Sequence, residues 1–255
     1  MIEKQHDLLK KSIGVLVTED DPAGGGPEGV FELIQNRFND TARGTIQLTP
    51  YFVCQNKFPG RIDDHNGYLI TGAHYNVNEG LTWMNRLEQL IVQIAEGNLE
   101  IFLFGICFGH QIIARTLGGR VDVNPSRRFI WGRDKIKVAP ELAEMSFYKE
   151  ASLGPSHLYM MQSHYDQVIE VPATARVLGG CEECPYEILM YAGNNILTVQ
   201  GHPELTKEWM TEKLTKHVDN GNISRSEAEK VKPSLEENGE GDKLMKMIVA
   251  FFFGK

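Results

Sequence analysis

Cys107 stands between two glycines in the run Gly105-Ile106-Cys107-Phe108-Gly109, where a continuous apolar strand stops and helix-forming sequence resumes at once. A strand-to-helix elbow of this kind exposes the sulfur at the carboxyl edge of a sheet. There the following backbone N–H groups and the positive end of the helix favour thiolate over thiol. Far downstream, ILTVQGHPE supplies a second strand ending in His202, with Glu204 two residues on. A thiol, an imidazole and a carboxylate complete a nucleophile, base and orienter set. The His-x-Glu spacing lets both side chains fall on one side of an extended segment, so the carboxylate can hold one ring nitrogen while the other faces Cys107. Each residue also has a plainer reading. A cysteine in an apolar stretch ordinarily fills core, His202 can be a satisfied buried histidine, and Glu204 beside Pro203 can be an acid at a helix start. The two glycines distinguish Cys107, because they relieve a strained turn and let helix and strand approach closely, which core filling does not require.

The elements that must position these groups alternate along the chain. SIGVLVT, residues 12–18, reads as a buried first strand; GVFELIQNRFND as a helix; TIQLTPYFV as a second strand; and GYLITG, residues 67–72, as a third strand ending in Gly72. In AHYNVNEGLTWMNRLEQLIVQIAEG, Leu87, Leu90, Ile91 and Ile94 repeat at helical spacing after a loop. The elbow strand and its helix follow. This order predicts an α/β protein with a mostly parallel, doubly wound sheet and flanking helices, in which chemistry gathers at the carboxyl ends of strands. GRVDVNP, FIWGRDKIKV, HLYMMQSHYDQVIEV, ARVLGG and EILMYAG read as a small antiparallel extension before ILTVQGH rejoins the sheet. ELTKEWMTEKLTKHVD is expected to be a helix. The polar stretch interrupted by Pro233 is expected to be a helix or loop, and GDKLMKMIVAFFFG a closing amphipathic helix. Residues 1–255 are expected to form one domain with a peripheral helical extension at about 220–255.

Composition narrows the function. A net charge of −8 with 42% hydrophobic residues gives no basic footprint for nucleic acid and disfavours anionic membranes. Apolar runs fall short of the roughly 20 residues that a membrane span needs. The start MIEKQHDLLKKS lacks a signal-peptide pattern, and four cysteines do not make a disulfide framework, so a cytoplasmic location is expected.

The motif residues resemble those of class I glutamine amidotransferases, whose GxCxGxQ elbow pairs with a later HPE. Here these stand as Gly105-Ile106-Cys107-Phe108-Gly109-His110-Gln111 and Gly201-His202-Pro203-Glu204. The resemblance implies a flavodoxin-like three-layer fold, a glutaminase-type Cys107, His202 and Glu204, and an oxyanion hole from the amides of Gly72 and Phe108. It also implies that Gln111 contacts the glutamyl substrate. His164 and Asp166 in SHYDQV lie in a segment resembling a recurrent family stretch beside the active site; they are candidate substrate contacts or a polar pair tying a loop. GICFGHQIIARTLGGRV, QSHYDQVIEVP and AEKVKPSLEENGEGDK look like the stand-alone γ-glutamyl peptidase branch described in plants, from which the ITGAHYN loop and the CEECP segment depart.

The resemblance therefore implies cysteine-dependent hydrolysis of a γ-glutamyl amide, on glutamine or on a γ-glutamyl peptide such as glutathione or its conjugates, with no metal or organic cofactor. Two alternatives remain: a glutaminase subunit delivering ammonia to a separate synthetase, and a catalytically silent binding module. A redox sensor built on Cys107 is a further reading.

Other candidates read more plainly. Arg127, Arg128 and Arg133 are either carboxylate binders or surface charges. Cys181-Glu182-Glu183-Cys184 has half the spacing of a zinc ribbon but no second CxxC and no nearby His pair in sequence, so it reads as a surface loop. Gly24, Gly25 and Gly26 lack the GKS or GKT ending of a phosphate-binding loop and read as a surface turn.

Overall fold

The computed structural model of the chain describes residues 10–22, 25–42, 44–97, 100–237 and 239–254. Gly24 of the glycine-rich turn and the first nine residues lie outside them. The first half runs β1 (Lys11–Val17), α1 (Gly26–Ala42), β2 (Ile46–Phe52), β3 (Gly67–Ile70), α2 (Thr82–Glu96), β4 (Phe102–Ile106) and α3 (Phe108–Thr116). Then come β5 (Arg120–Val123), β6 (Ile130–Val138), two short helices α4 (Pro140–Glu144) and α5 (Ser146–Glu150), β7 (His157–His164), β8 (Asp166–Glu170), β9 (Ala175–Gly180), β10 (Ile188–Tyr191) and β11 (Ile196–Val199). The chain closes with α6 (Lys207–Asp219), α7 (Arg225–Glu236) and α8 (Gly241–Phe252).

Nine strands form one sheet in the order β2-β1-β3-β4-β11-β10-β9-β6-β7. The first five run parallel, and β10, β9, β6 and β7 continue the sheet antiparallel. The α/β architecture read from the alternation is the one observed. Strand period explains the layering: Ile13, Val15 and Val17 face one apolar cluster with Ile34, Phe38, Phe251 and Phe252, while Leu16 faces the other with Leu87, Ile91, Ile112 and Ile113. Helices α1 and α8 therefore cover one face, and α2 and α3 the other.

Two local features differ from the linear pattern. The run HLYMMQSHYDQVIEV breaks at Tyr165, because β8 leaves the main sheet to pair with β5 in a two-stranded ribbon, and Asn124 Nδ2 donates to Tyr165 O at 2.6 Å across the break. The 220–255 segment divides by burial. Helix α7 opens on a Ser224–Glu227 capping box, carries Pro233 internally and buries Ala228 and Leu235, whereas α8 puts Leu244, Met245, Met247, Ile248, Ala250, Phe251 and Phe252 into the core. No helix among the described residues is long and apolar enough to cross a membrane.

Candidate active site

Gly72, Cys107 and His202 follow within three residues of the ends of three neighbouring parallel strands, β3, β4 and β11, so the sheet order itself gathers them at one edge. Cys107 has φ +50° and ψ −102°, a left-handed position for a side-chain-bearing residue. Such a position costs about 1–3 kcal/mol and must be held by its surroundings. Those surroundings are tight. Cys107 N donates to Val199 O at 2.9 Å, and Gln111 N donates to Cys107 O at 3.0 Å. A β-carbon on Gly105 would lie 2.7 Å from the Gly109 carbonyl carbon, and one on Gly109 2.5 Å from Ile70 O. The glycines are the condition for the elbow, as their positions in the sequence imply.

His202 is fixed at the backbone by a 2.7 Å bond from its N–H to Met161 O, and its Nδ1 lies 2.7 Å from Glu204 Oε1. Both side chains are buried. Burial works against an imidazolium, but the Glu204 carboxylate and the Cys107 sulfur outweigh it and hold His202 well above its ordinary range. Cys107 Cβ and His202 Cε1 flank one point beside Gly72, at 3.5 and 2.9 Å from where a glycine β-carbon would stand. The structure thus brings the three side chains together. His202 Nε2 has no other hydrogen-bond partner among the described residues.

Beside the sulfur, Thr71 O accepts from Gly109 N at 3.2 Å and from Thr18 Oγ1 at 3.0 Å. Because a trans peptide points its N–H opposite its carbonyl, pinning Thr71 O fixes the direction of the Gly72 amide. The first amides of α3, starting with Phe108, have no intrahelical acceptor. Sequence reasoning missed three supports. Gln200 Nε2 lies 3.6 Å from Cys107 Sγ, and strand period 2 from His202 was the signal for it. Ser163 O is 3.9 Å from the same sulfur. Glu19 accepts the backbone N–H groups of Asp20, Asp21 and His74, clamping the loop after Gly72; nothing in the linear sequence marked that contact.

These residues line a cavity of about 700 Å³ that also includes Gln111, His164 and Asp166 in its wall. Gln111 spends its Nε2 on Asp166 O at 2.8 Å and Gln200 Oε1 at 3.2 Å. His164 Nδ1 bonds Asp166 O at 3.1 Å, and burial pushes its pKa down to about 4. Asp166 Oδ2 accepts from Asn76, whereas its Oδ1 has no partner, and burial first and then Asp122 raise this carboxyl. A neighbouring cavity of about 830 Å³, lined by Arg127, Arg128, Phe129 and Tyr165, holds no thiol and base pair. Arg128 pairs with Glu183 at 2.8 Å, and Arg133 pairs with Glu237 while lying over the Tyr159 ring.

One expectation is corrected. The Cys181–Cys184 segment is a loop with Glu182 and Glu183 exposed, but its cysteines turn inward: Cys184 is only 1% exposed and Cys181 half-buried. Gly180 leaves no room for a β-carbon against Pro185 O, so the turn between β9 and β10 tucks inward. Burial first, then Glu187 and Asp134, raise Cys181 to about 11.

The profile of the glutamine amidotransferase class-I family matches residues 53–219. Gamma-glutamyl peptidase 4 of Arabidopsis thaliana is 28% identical over 210 residues, which is 81% of this chain and 81% of that protein. The glutamine-hydrolyzing GMP synthase of Azoarcus sp. is 29% identical over 140 residues, 55% of this chain but 26% of the synthase. A solved glutamine amidotransferase from Thermotoga maritima superposes with a TM-score of 0.68 at 17% identity, covering 96% of this chain and 98% of that one, a likeness of fold.

Proposed function

Since this chain belongs to the class-I glutamine amidotransferase family, we propose that it is a hydrolase that cleaves γ-glutamyl amide bonds through a γ-glutamyl thioester on Cys107. Its relatives are hydrolases and amidotransferases, which supports an enzyme. The observation that carries the reading is the shared position of Cys107 and His202 beside Gly72, with Glu204 2.7 Å behind the imidazole.

In this mechanism the Cys107 sulfur attacks the δ-carbonyl carbon, a C–S bond forms, and the oxyanion is held by the amides of Gly72 and Phe108. His202 gives its proton to the leaving nitrogen as the C–N bond breaks. Water then attacks the thioester while His202 takes its proton, and glutamate leaves as the thiol is restored. Glu204 orients the ring and favours its charged form. Gln111 and His164 shape the cavity wall by fixing the Asp166 backbone. Asp166 Oδ1, buried and without a partner, suits the α-ammonium of a γ-glutamyl group.

The leaving group is read as the amine of a γ-glutamyl peptide, as the name of the Arabidopsis relatives suggests. A second reading, free glutamine as the source of ammonia for a separate synthetase, is favoured by the GMP synthase similarity. Incubating the protein alone with glutamine and with glutathione separates them. Release of cysteinyl-glycine supports the peptidase reading, glutamate from glutamine alone supports the subunit reading, and turnover of neither overturns hydrolysis by the isolated chain.

A further inference from the structure

Behind the cavity wall, three buried side chains converge from separate elements: His164 at the end of β7, Cys184 in the β9–β10 turn, and Glu187 just before β10. One ligand atom of each lies within 4.8 Å of the other two. We propose that His164, Cys184 and Glu187 bind a divalent cation of the zinc type, with Cys181, which lies outside that group, completing the set as the fourth ligand once its side chain turns toward it.

Unsatisfied polarity is the first argument. His164 Nδ1 bonds Asp166 O, which leaves Nε2 to carry the lone pair, and that atom is buried with no hydrogen-bond partner. A ligating histidine is held by this kind of contact, its second ring nitrogen donating to a carbonyl. Glu187 is fully buried; the Gln162 side chain, the Cys184 thiol and the Gly201 N–H lie near its carboxylate, but none meets either oxygen with hydrogen-bond geometry. Buried polar groups left in this way are rare and call for an explanation.

The turn supplies the second argument. Cys184 N donates to Cys181 Sγ at 3.4 Å and Cys181 N to Cys184 O at 2.9 Å, closing a CxxC turn whose first sulfur already accepts a backbone N–H. A donor set of two sulfurs, one imidazole and one carboxylate suits zinc and not calcium or magnesium, which take oxygen ligands. On binding, the two thiols lose their protons to solvent as two metal–sulfur bonds form. A site with four protein ligands is structural rather than catalytic. It would tie β7 and the β9–β10 turn to the Gly201 backbone, whose N–H lies beside Glu187 and immediately precedes His202.

The test uses the full chain, purified with reductant and without chelator. Its metal content is measured by mass spectrometry, and the chelator-stripped protein is titrated with zinc and with cobalt(II). One zinc per chain is expected, with tetrahedral ligand-field bands and a thiolate-to-cobalt charge-transfer band. Cys184→Ser and Glu187→Gln are each expected to weaken binding on the order of 10-fold to 100-fold, while Cys107→Ser keeps full affinity. Glu187→Gln, which preserves shape, carries the test if Cys184→Ser fails to fold. Stripped wild-type protein that stays folded yet takes up neither metal would overturn the proposal, as would a charge-transfer band that disappears with Cys107→Ser and survives Cys184→Ser.

Discussion

Gly72 and His202 approach so closely that a β-carbon on the glycine would stand 2.9 Å from the imidazole Cε1. Gly72→Ala should therefore displace the ring from Cys107 without disturbing the buried strand β3. A displacement near 1 Å costs about 100-fold in turnover, so kcat on a γ-glutamyl substrate is expected to fall by that order while the melting temperature holds. A fully active, equally stable variant would contradict the tight fit.

Cys107→Ser should lose γ-glutamyl hydrolysis by on the order of 1000-fold or more, because the oxygen cannot form the thioester. Trapping with a substrate should yield a covalent γ-glutamyl adduct on wild-type protein by intact-mass measurement and none on the variant. An adduct of equal yield on the variant would move the nucleophile elsewhere.

Glu204→Gln keeps the shape of the orienting group and removes its charge. Turnover is expected to drop by about 1000-fold to 10,000-fold. The carboxylate is among the groups that hold His202 well above its ordinary range. Without it the imidazolium gives up its proton at lower pH, so the alkaline limb of the pH–rate profile should shift downward. An unshifted limb would mean that Glu204 does not act through His202.

Asp166→Asn should raise KM for γ-glutamyl substrates by about 10-fold to 100-fold, the worth of one hydrogen bond to a charged group, with little change in kcat. Substrates lacking the α-amino group are expected to lose this discrimination. An unchanged KM would remove Asp166 from the substrate contacts.

His110 is fully buried on α3, its Nδ1 2.8 Å from Thr198 Oγ1, and burial lowers its pKa to about 3. A histidine depressed in the folded state takes its proton more readily when unfolded, so its contribution is complete above the unfolded value of about 6.5. That contribution is lost as pH falls toward 3, by at most about 1.4 kcal/mol per pH unit. His110→Gln should flatten the acid limb of stability over this window in denaturant titrations.

The sequence carried the elbow, because a strained turn needs Gly105 and Gly109 on either side of Cys107 whatever the rest of the fold does. It also carried the parallel half of the sheet, since β1, β3 and β4 are continuous apolar runs and α2 repeats its leucines and isoleucines at helical spacing. HLYMMQSHYDQVIEV reads as one strand because local pattern does not record a change of partner at Tyr165. The burial of Cys184 escaped for a related reason: in a polar CEEC segment the two acids are exposed, and nothing local records that the cysteines turn inward where Gly180 packs against Pro185.

What the residue order determined by itself was the chemistry available, a thiol on a turn and an imidazole with its carboxylate two residues on, because those relations are local. Only the tertiary structure decided which groups meet. The order β3-β4-β11 sets Gly72, Cys107 and His202 side by side, and the fold brings His164, at the end of β7, together with Cys184 and Glu187 around the β9–β10 turn. Contacts between residues dozens of positions apart depend on strand pairing, and strand pairing is settled by burial of the whole sheet rather than by any single segment.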